Sequence, residues 1–138
     1  MNTVLTVTAV VNAPIEKVWQ LWTDTWAITQ WNAPSPDWHT PKADHDLRPG
    51  GLFTYRMEAK DGSFGFDFGG TFDVVQPPEY LEYTIGDGRK VKITFTATGD
   101  QTTIVQEFES ENVNPLEVQQ GGWQAILNNF KKYAEAVV

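Results

Sequence analysis

The sequence predicts an α+β domain in which a curved antiparallel sheet wraps around a long C-terminal helix, with two short helices after the first strand. Three observations carry this. In the last stretch, Pro115 to Val138, residues Leu116, Trp123, Ile126, Leu127, Phe130, Ala134 and Val137 fall in one stripe at 3.6-residue spacing, while Glu117, Gln124, Asn128, Lys131, Lys132 and Glu135 fall elsewhere. Upstream, runs of alternating apolar and polar residues are punctuated by Asp61-Gly62, Gly86-Asp87-Gly88 and Gly99-Asp100, the chemistry of tight antiparallel connections. Such a sheet has one face to bury, and only the terminal segment, roughly 36 Å long as a helix, is long enough to cover it.

The elements follow in order. Thr3 to Val11 is a β-branched run with Leu5, Val7, Ala9 and Val11 on one side. Pro14 opens a short helix carrying Ile15, Val18, Trp19 and Trp22, and Asp24 is placed to cap a second one carrying Trp26, Ile28 and Trp31, although Trp19, Trp22 and Trp26 would also align on one continuous helix. Pro34-Ser35-Pro36 forces an extended loop. Trp38 to Asp46 reads as an irregular edge strand because it contains Pro41. Leu52 to Ala59 turns Phe53, Tyr55 and Met57 inward, and the Asp61-Gly62 hairpin brings back a strand with Phe64, Phe66 and Phe68 on one face. Gly70 there suggests a bulge or sharp bend, and Pro77-Pro78 ends the strand. Tyr80 to Ile85, Val91 to Thr98 and Thr102 to Ser110 complete the sheet. Val91, Ile93 and Phe95 face inward, as do Ile104, Gln106 and Phe108, with Gln106 the polar exception. The terminal helix is expected to start with Asn114 as N-cap, Pro115 at the first position and Glu117 two further on, and Lys131 and Lys132 complement its dipole. Gly121 and Gly122 suggest a bend, and Gln119 on the apolar stripe suggests a polar group facing something internal.

Composition narrows the function. A chain of 138 residues with no repeat or linker is expected to be one domain, residues 1–138. A net charge of −8 disfavours nucleic acid and anionic membrane surfaces as partners. Without a basic, apolar N-terminus or a long apolar run, no signal peptide or membrane span is expected, and the lack of cysteine suits a cytoplasmic location. Gly86-Asp87-Gly88 completes no nucleotide-binding spacing and reads as a hairpin turn. The three serines sit in no nucleophile elbow. His39 and His45, beside Asp44 and Asp46, would make at most a weak metal site, since strand alternation sets His45 opposite both aspartates; no metal and no cofactor is expected. Arg56, Asp67 and Glu107 fall on outward positions, so catalysis has no identified agent and enzymatic activity stays open.

Taken together, Asn12-Ala13-Pro14 with Val18-Trp19, the Trp31 to Trp38 loop, Asp46-Leu47-Arg48-Pro49-Gly50-Gly51, Asp87-Gly88-Arg89 and the Gly121-Gly122-Trp123 to Phe130 stretch make the chain resemble the activator-of-heat-shock-ATPase-like (AHSA-like) family of the START-like (SRPBCC), birch-pollen-allergen superfamily. The resemblance runs over nearly the whole chain. It implies a helix-grip fold with a hydrophobic cavity between the sheet and the C-terminal helix.

The aromatic content bears on that cavity. Six Trp, eight Phe and four Tyr are more bulky side chain than a core of this size needs. Trp22, Trp26, Trp31, Tyr55, Met57, Phe66, Phe68, Tyr83 and Trp123 come from separate elements that the grip would gather around one space, joined by Leu127 and the inward Gln106 and Gln119. They either fill a solid core or line a cavity, and the residues alone leave the two open. The favoured reading is a cytoplasmic binder of a hydrophobic or amphipathic small molecule held by these twelve residues. The alternatives are a protein-interaction, chaperone-linked module and an enzyme acting on an aromatic or polyketide-like substrate.

Overall fold

The computed structural model describes residues 3–137. Strand β1 (Val4–Val11) leads into helices α1 (Ile15–Thr23) and α2 (Thr25–Trp31). Strands β2 (Trp38–His45), β3 (Leu52–Ala59), β4 (Gly65–Gln76), β5 (Tyr80–Ile85), β6 (Lys90–Thr98) and β7 (Gln101–Glu109) follow, and then helix α3 (Leu116–Val137). The seven strands form one antiparallel sheet in the order β1-β7-β6-β5-β4-β3-β2, the expected α+β helix grip. Period-2 alternation places Val7, Ala9, Val11, Phe53, Leu81, Val91, Ile93, Phe95, Ile104 and Phe108 on the buried concave face.

Asp24 decides the α1–α2 break. Its backbone is extended (φ −78°, ψ 122°) and its carboxylate accepts the Ala27 amide at 2.8 Å, capping α2. The break resets the helical phase, so Ala27, Ile28 and Trp31 turn inward while Trp26 turns out.

Helix α3 meets the sheet in two ways. On its inner side Leu127, Phe130 and Ala134 are fully buried, and Phe130 makes edge-to-face contacts with Trp22 and Trp31 at 4.8 and 4.9 Å between centroids. On one flank Gln120, Gln124 and Lys131 donate to the backbone carbonyls of Thr6, Thr8 and Val10 at 2.9, 3.0 and 2.7 Å, and Glu135 accepts the Asn12 amide at 2.8 Å. Gln124, Lys131 and Glu135 were expected on the solvated face; instead they are the contacts by which the helix covers the β1 edge.

Other details also differ from expectation. Leu116 and Val137 are exposed, because the ends of α3 overhang the core. The helix runs through Gly121 and Gly122 unbroken. Its start is organised by other groups than an Asn114 cap: Pro115 accepts from the Val118 and Gln119 amides, and the Asn114 side chain donates to Glu111. The irregularity in β4 lies between Phe72 and Val74. At Gly70 the strands approach so closely that a Cβ would sit 2.1 Å from the Thr84 carbonyl oxygen. Among the described residues no helix is long and apolar enough to cross a membrane.

Candidate functional site

The two kinds of α3 contact leave a space. The C-terminal half of the helix is packed through Phe130 onto Trp22 and Trp31, and Trp22 in turn meets Phe95. Towards its N-terminus the small Gly122 faces the sheet, with nothing within 4 Å of where its Cβ would be. Beneath lies a cavity of about 390 Å³, within the range of small-molecule sites. Its floor is the concave face of β3, β4, β5 and β7, and α1, α2 and α3 roof it. Exposed Phe66, Asn114 and Val118 are part of its lining, so it opens to solvent there.

Ten of the twelve residues expected at the site line this cavity: Trp22, Trp31, Tyr55, Met57, Phe66, Phe68, Tyr83, Gln106, Gln119 and Trp123. Two do not. Trp26 is 66% exposed, rotated away by the Asp24 break, and Leu127 is fully buried against the packed half of the core. Trp123 stacks face to face on Phe108, with centroids 4.1 Å apart and an interplanar angle of 9°, and presents an edge-to-face contact to Phe68 at 6.2 Å. It thereby links the helix to β7 and β4 across the space.

The polar lining divides into engaged and open groups. Gln119 was expected to face a ligand, yet its side-chain oxygen accepts the Glu111 amide at 2.8 Å, and its nitrogen donates to the Glu111 and Asn114 carbonyls at 3.2 and 2.7 Å. Three of its four amide hydrogen-bonding positions hold the loop before α3 in place. Gln106 does point inward, 6% exposed, and lines the cavity together with Tyr83. Burial pushes the Tyr83 phenol well above the ordinary tyrosine value, with Gln106 and the Arg89 charge opposing, so it stays a proton donor.

His45 and Arg89 are among the lining groups that sequence reasoning missed. His45 sits 2.7 Å from the Tyr55 hydroxyl through Nδ1. Burial lowers the His45 pKa, opposed by the Thr23 backbone and by Asp24, Asp44 and Asp46, and burial likewise raises that of Tyr55. With the imidazole neutral at pH 7, Tyr55 donates to it. Strand alternation already turned His45 away from Asp44 and Asp46; what the sequence did not show is the tyrosine opposite. His39 pairs instead with Glu58 at 3.8 Å, well separated in role. Arg89 also lines the cavity, and continuing the inward row Phe95, Ile93, Val91 by one more step would have found it.

The fold agrees with the comparisons. The family model for activator of Hsp90 ATPase homolog 1-like protein matches residues 12–135. The solution structure of an AHSA1-like protein from Aeromonas hydrophila is 43% identical, with a TM-score of 0.92 over 98% of this chain and 94% of that one. A solution structure from Cytophaga hutchinsonii is 54% identical, with a TM-score of 0.80 over 99% and 93%. A crystal structure from Chromobacterium violaceum shares the fold at 24% identity, with a TM-score of 0.86 over 96% and 98%. No curated protein matches. Because the family model spans nearly all of the chain and two solved relatives share well over 30% of their residues with it, the chain belongs to the activator of Hsp90 ATPase homolog 1-like family.

Proposed function

We propose that this protein is a cytoplasmic binder of an amphipathic small molecule, held between the sheet and the N-terminal half of α3. The observation that supports this most is the shape of the packing. Trp22, Trp31, Tyr55, Phe68, Tyr83 and Trp123 surround a space of about 390 Å³ instead of closing it, although the same helix packs tightly two turns later at Phe130. A mostly aromatic wall with few polar anchors suits a ligand with a large apolar body.

The test is titration of a neutral naphthyl probe, followed by quenching of tryptophan emission, with native mass spectrometry of protein purified from its own source. One probe bound per chain, or a retained small molecule, is the expected result; a folded protein that takes up neither sinks the proposal. A protein-partner reading has its own observation, the exposed Val113, Leu116 and Val118 at the start of α3. It predicts association that survives when the cavity is filled.

A further inference from the structure

The polar groups of the cavity are unequal in what they have left to offer. Gln119 has both N–H donors and its carbonyl oxygen engaged with its loop. The Glu111 carboxylate accepts from the Val113 and Asn114 amides at 3.1 and 2.7 Å and from the Asn114 side chain at 3.2 Å, so its charge is satisfied locally. The Thr23 hydroxyl donates to the Trp19 carbonyl, and Tyr55 is paired with His45. Open groups are concentrated at the β5–β6 end: the Tyr83 hydroxyl, the Gln106 amide and the Arg89 guanidinium.

Arg89 is held still for this position. Its side chain is only 17% exposed; Nε donates to Asp87 at 2.8 Å and Nη1 to the Glu109 carbonyl at 3.4 Å. The second terminal nitrogen has no partner among the described residues. Asp87 lies on the outer side of the turn, half exposed, and so balances the guanidinium without occupying the cavity side. Tyr83 and Gln106 are each more than nine-tenths buried and face the same space. Three donor groups, one of them cationic, thus line the same end of the cavity. A fixed, partly dehydrated guanidinium with Nε and Nη1 engaged leaves Nη2 to donate a charge-assisted hydrogen bond to a carboxylate. The net negative charge of the chain acts mainly at long range, where about 10 Å of screening at 0.1 M salt leaves the local donors to decide.

We infer that Arg89, Gln106 and Tyr83 form a head-group subsite, and that the molecule held in the cavity is an aromatic or aliphatic monocarboxylic acid whose carboxylate docks there while its body lies against Phe68, Trp123 and Trp22. This rests on the cavity being the binding site, and the test keeps the two apart. The probes are naphthylacetic acid and its methyl ester, titrated calorimetrically at pH 7 and 50 mM salt into the wild type, Arg89→Met and Gln106→Leu. The expected result is acid binding about tenfold or more tighter than ester to the wild type. In Arg89→Met the preference disappears while ester affinity is retained, which also shows that the variant is folded; in Gln106→Leu it falls a few-fold. Equal affinity of acid and ester for the wild type, or a preference that survives Arg89→Met, overturns the head-group assignment and leaves the cavity reading standing. If neither probe binds, the cavity reading fails and takes this one with it.

Discussion

Replacing Gly122 by Leu should strengthen the fold and weaken ligand binding in the same molecule. Glycine inside a helix costs about 0.8–1 kcal/mol relative to alanine, and leucine is close to alanine, so relief of that cost is worth roughly 0.5–1 kcal/mol. Nothing lies within 4 Å of the new Cβ, and no clash offsets the gain. The side chain then enters the cavity that Gly122 lines. Its four carbons displace contacts of about four ligand atoms, which at ~0.3 kcal/mol per atom is near 1.2 kcal/mol, close to tenfold in affinity. Gly121→Leu is the matched control, since Gly121 also has open space beside it and is exposed outside the cavity lining. Urea unfolding measures the first effect and naphthyl-probe titration the second. Both variants should shift to higher denaturant, and only Gly122→Leu should lose affinity. Wild-type affinity in Gly122→Leu, or equal loss in both, would refute the placement of the ligand under this part of α3.

Three other outcomes follow from the same packing. Phe130→Ala removes a fully buried ring at the contact with Trp22 and Trp31 and should cost about 3–5 kcal/mol in denaturant unfolding; a loss under about 1 kcal/mol would show the ring is not packed there. Gln119→Leu unties the loop before α3 and should cost on the order of 1–3 kcal/mol, with faster amide exchange at Glu111 and unchanged exchange in β6. His45, whose folded pKa lies below its ordinary value, disfavours the protonated folded state. Its contribution is therefore intact above about pH 6.5 and is lost as pH falls from there through the lower folded value. His45→Gln should flatten the stability profile across that window, and an identical slope in wild type and variant would show that another group is responsible.

Much of the architecture was legible because each strand obeys alternation and each connection carries turn residues. The Asp24 break was legible too, as one carboxylate placed to cap. What escaped depends on partners distant in sequence. Gln124 and Lys131 look like solvated helix residues until β1 is laid beside them. Gln119 looks like an internal anchor because its apolar neighbours suggest a buried face, whereas its partners are five to eight residues away in a loop with no pattern of its own. The β4 irregularity after Phe72 is set by pairing with β5, and the glycine at position 70 instead marks a close strand approach. At the site, aromatic residues were found by facing direction alone. Trp26 and Leu127 went astray because helical phase and cavity edge are tertiary facts.

The flank of α3 along β1 has a mechanical meaning. From Gln120 to Glu135 the helix advances about 22 Å, and from Thr6 to Asn12 the strand advances about 20 Å, so the two run nearly in step and four side chains act as rungs between them. A helix fastened at intervals along its length is a fixed jamb. It cannot lift to admit a ligand without breaking several rungs at once, and each of the first two lies beside the cavity half of α3. A ligand of the proposed kind would then exchange past the opposite post, the tip of the β3–β4 hairpin. There the rings of Trp38, Phe64 and Phe66 lie 6.0–6.2 Å apart between centroids, and the pairing ends at Ala59 and Phe64. For the proposed binder the gripping sheet would be the door, and the gripped helix its frame.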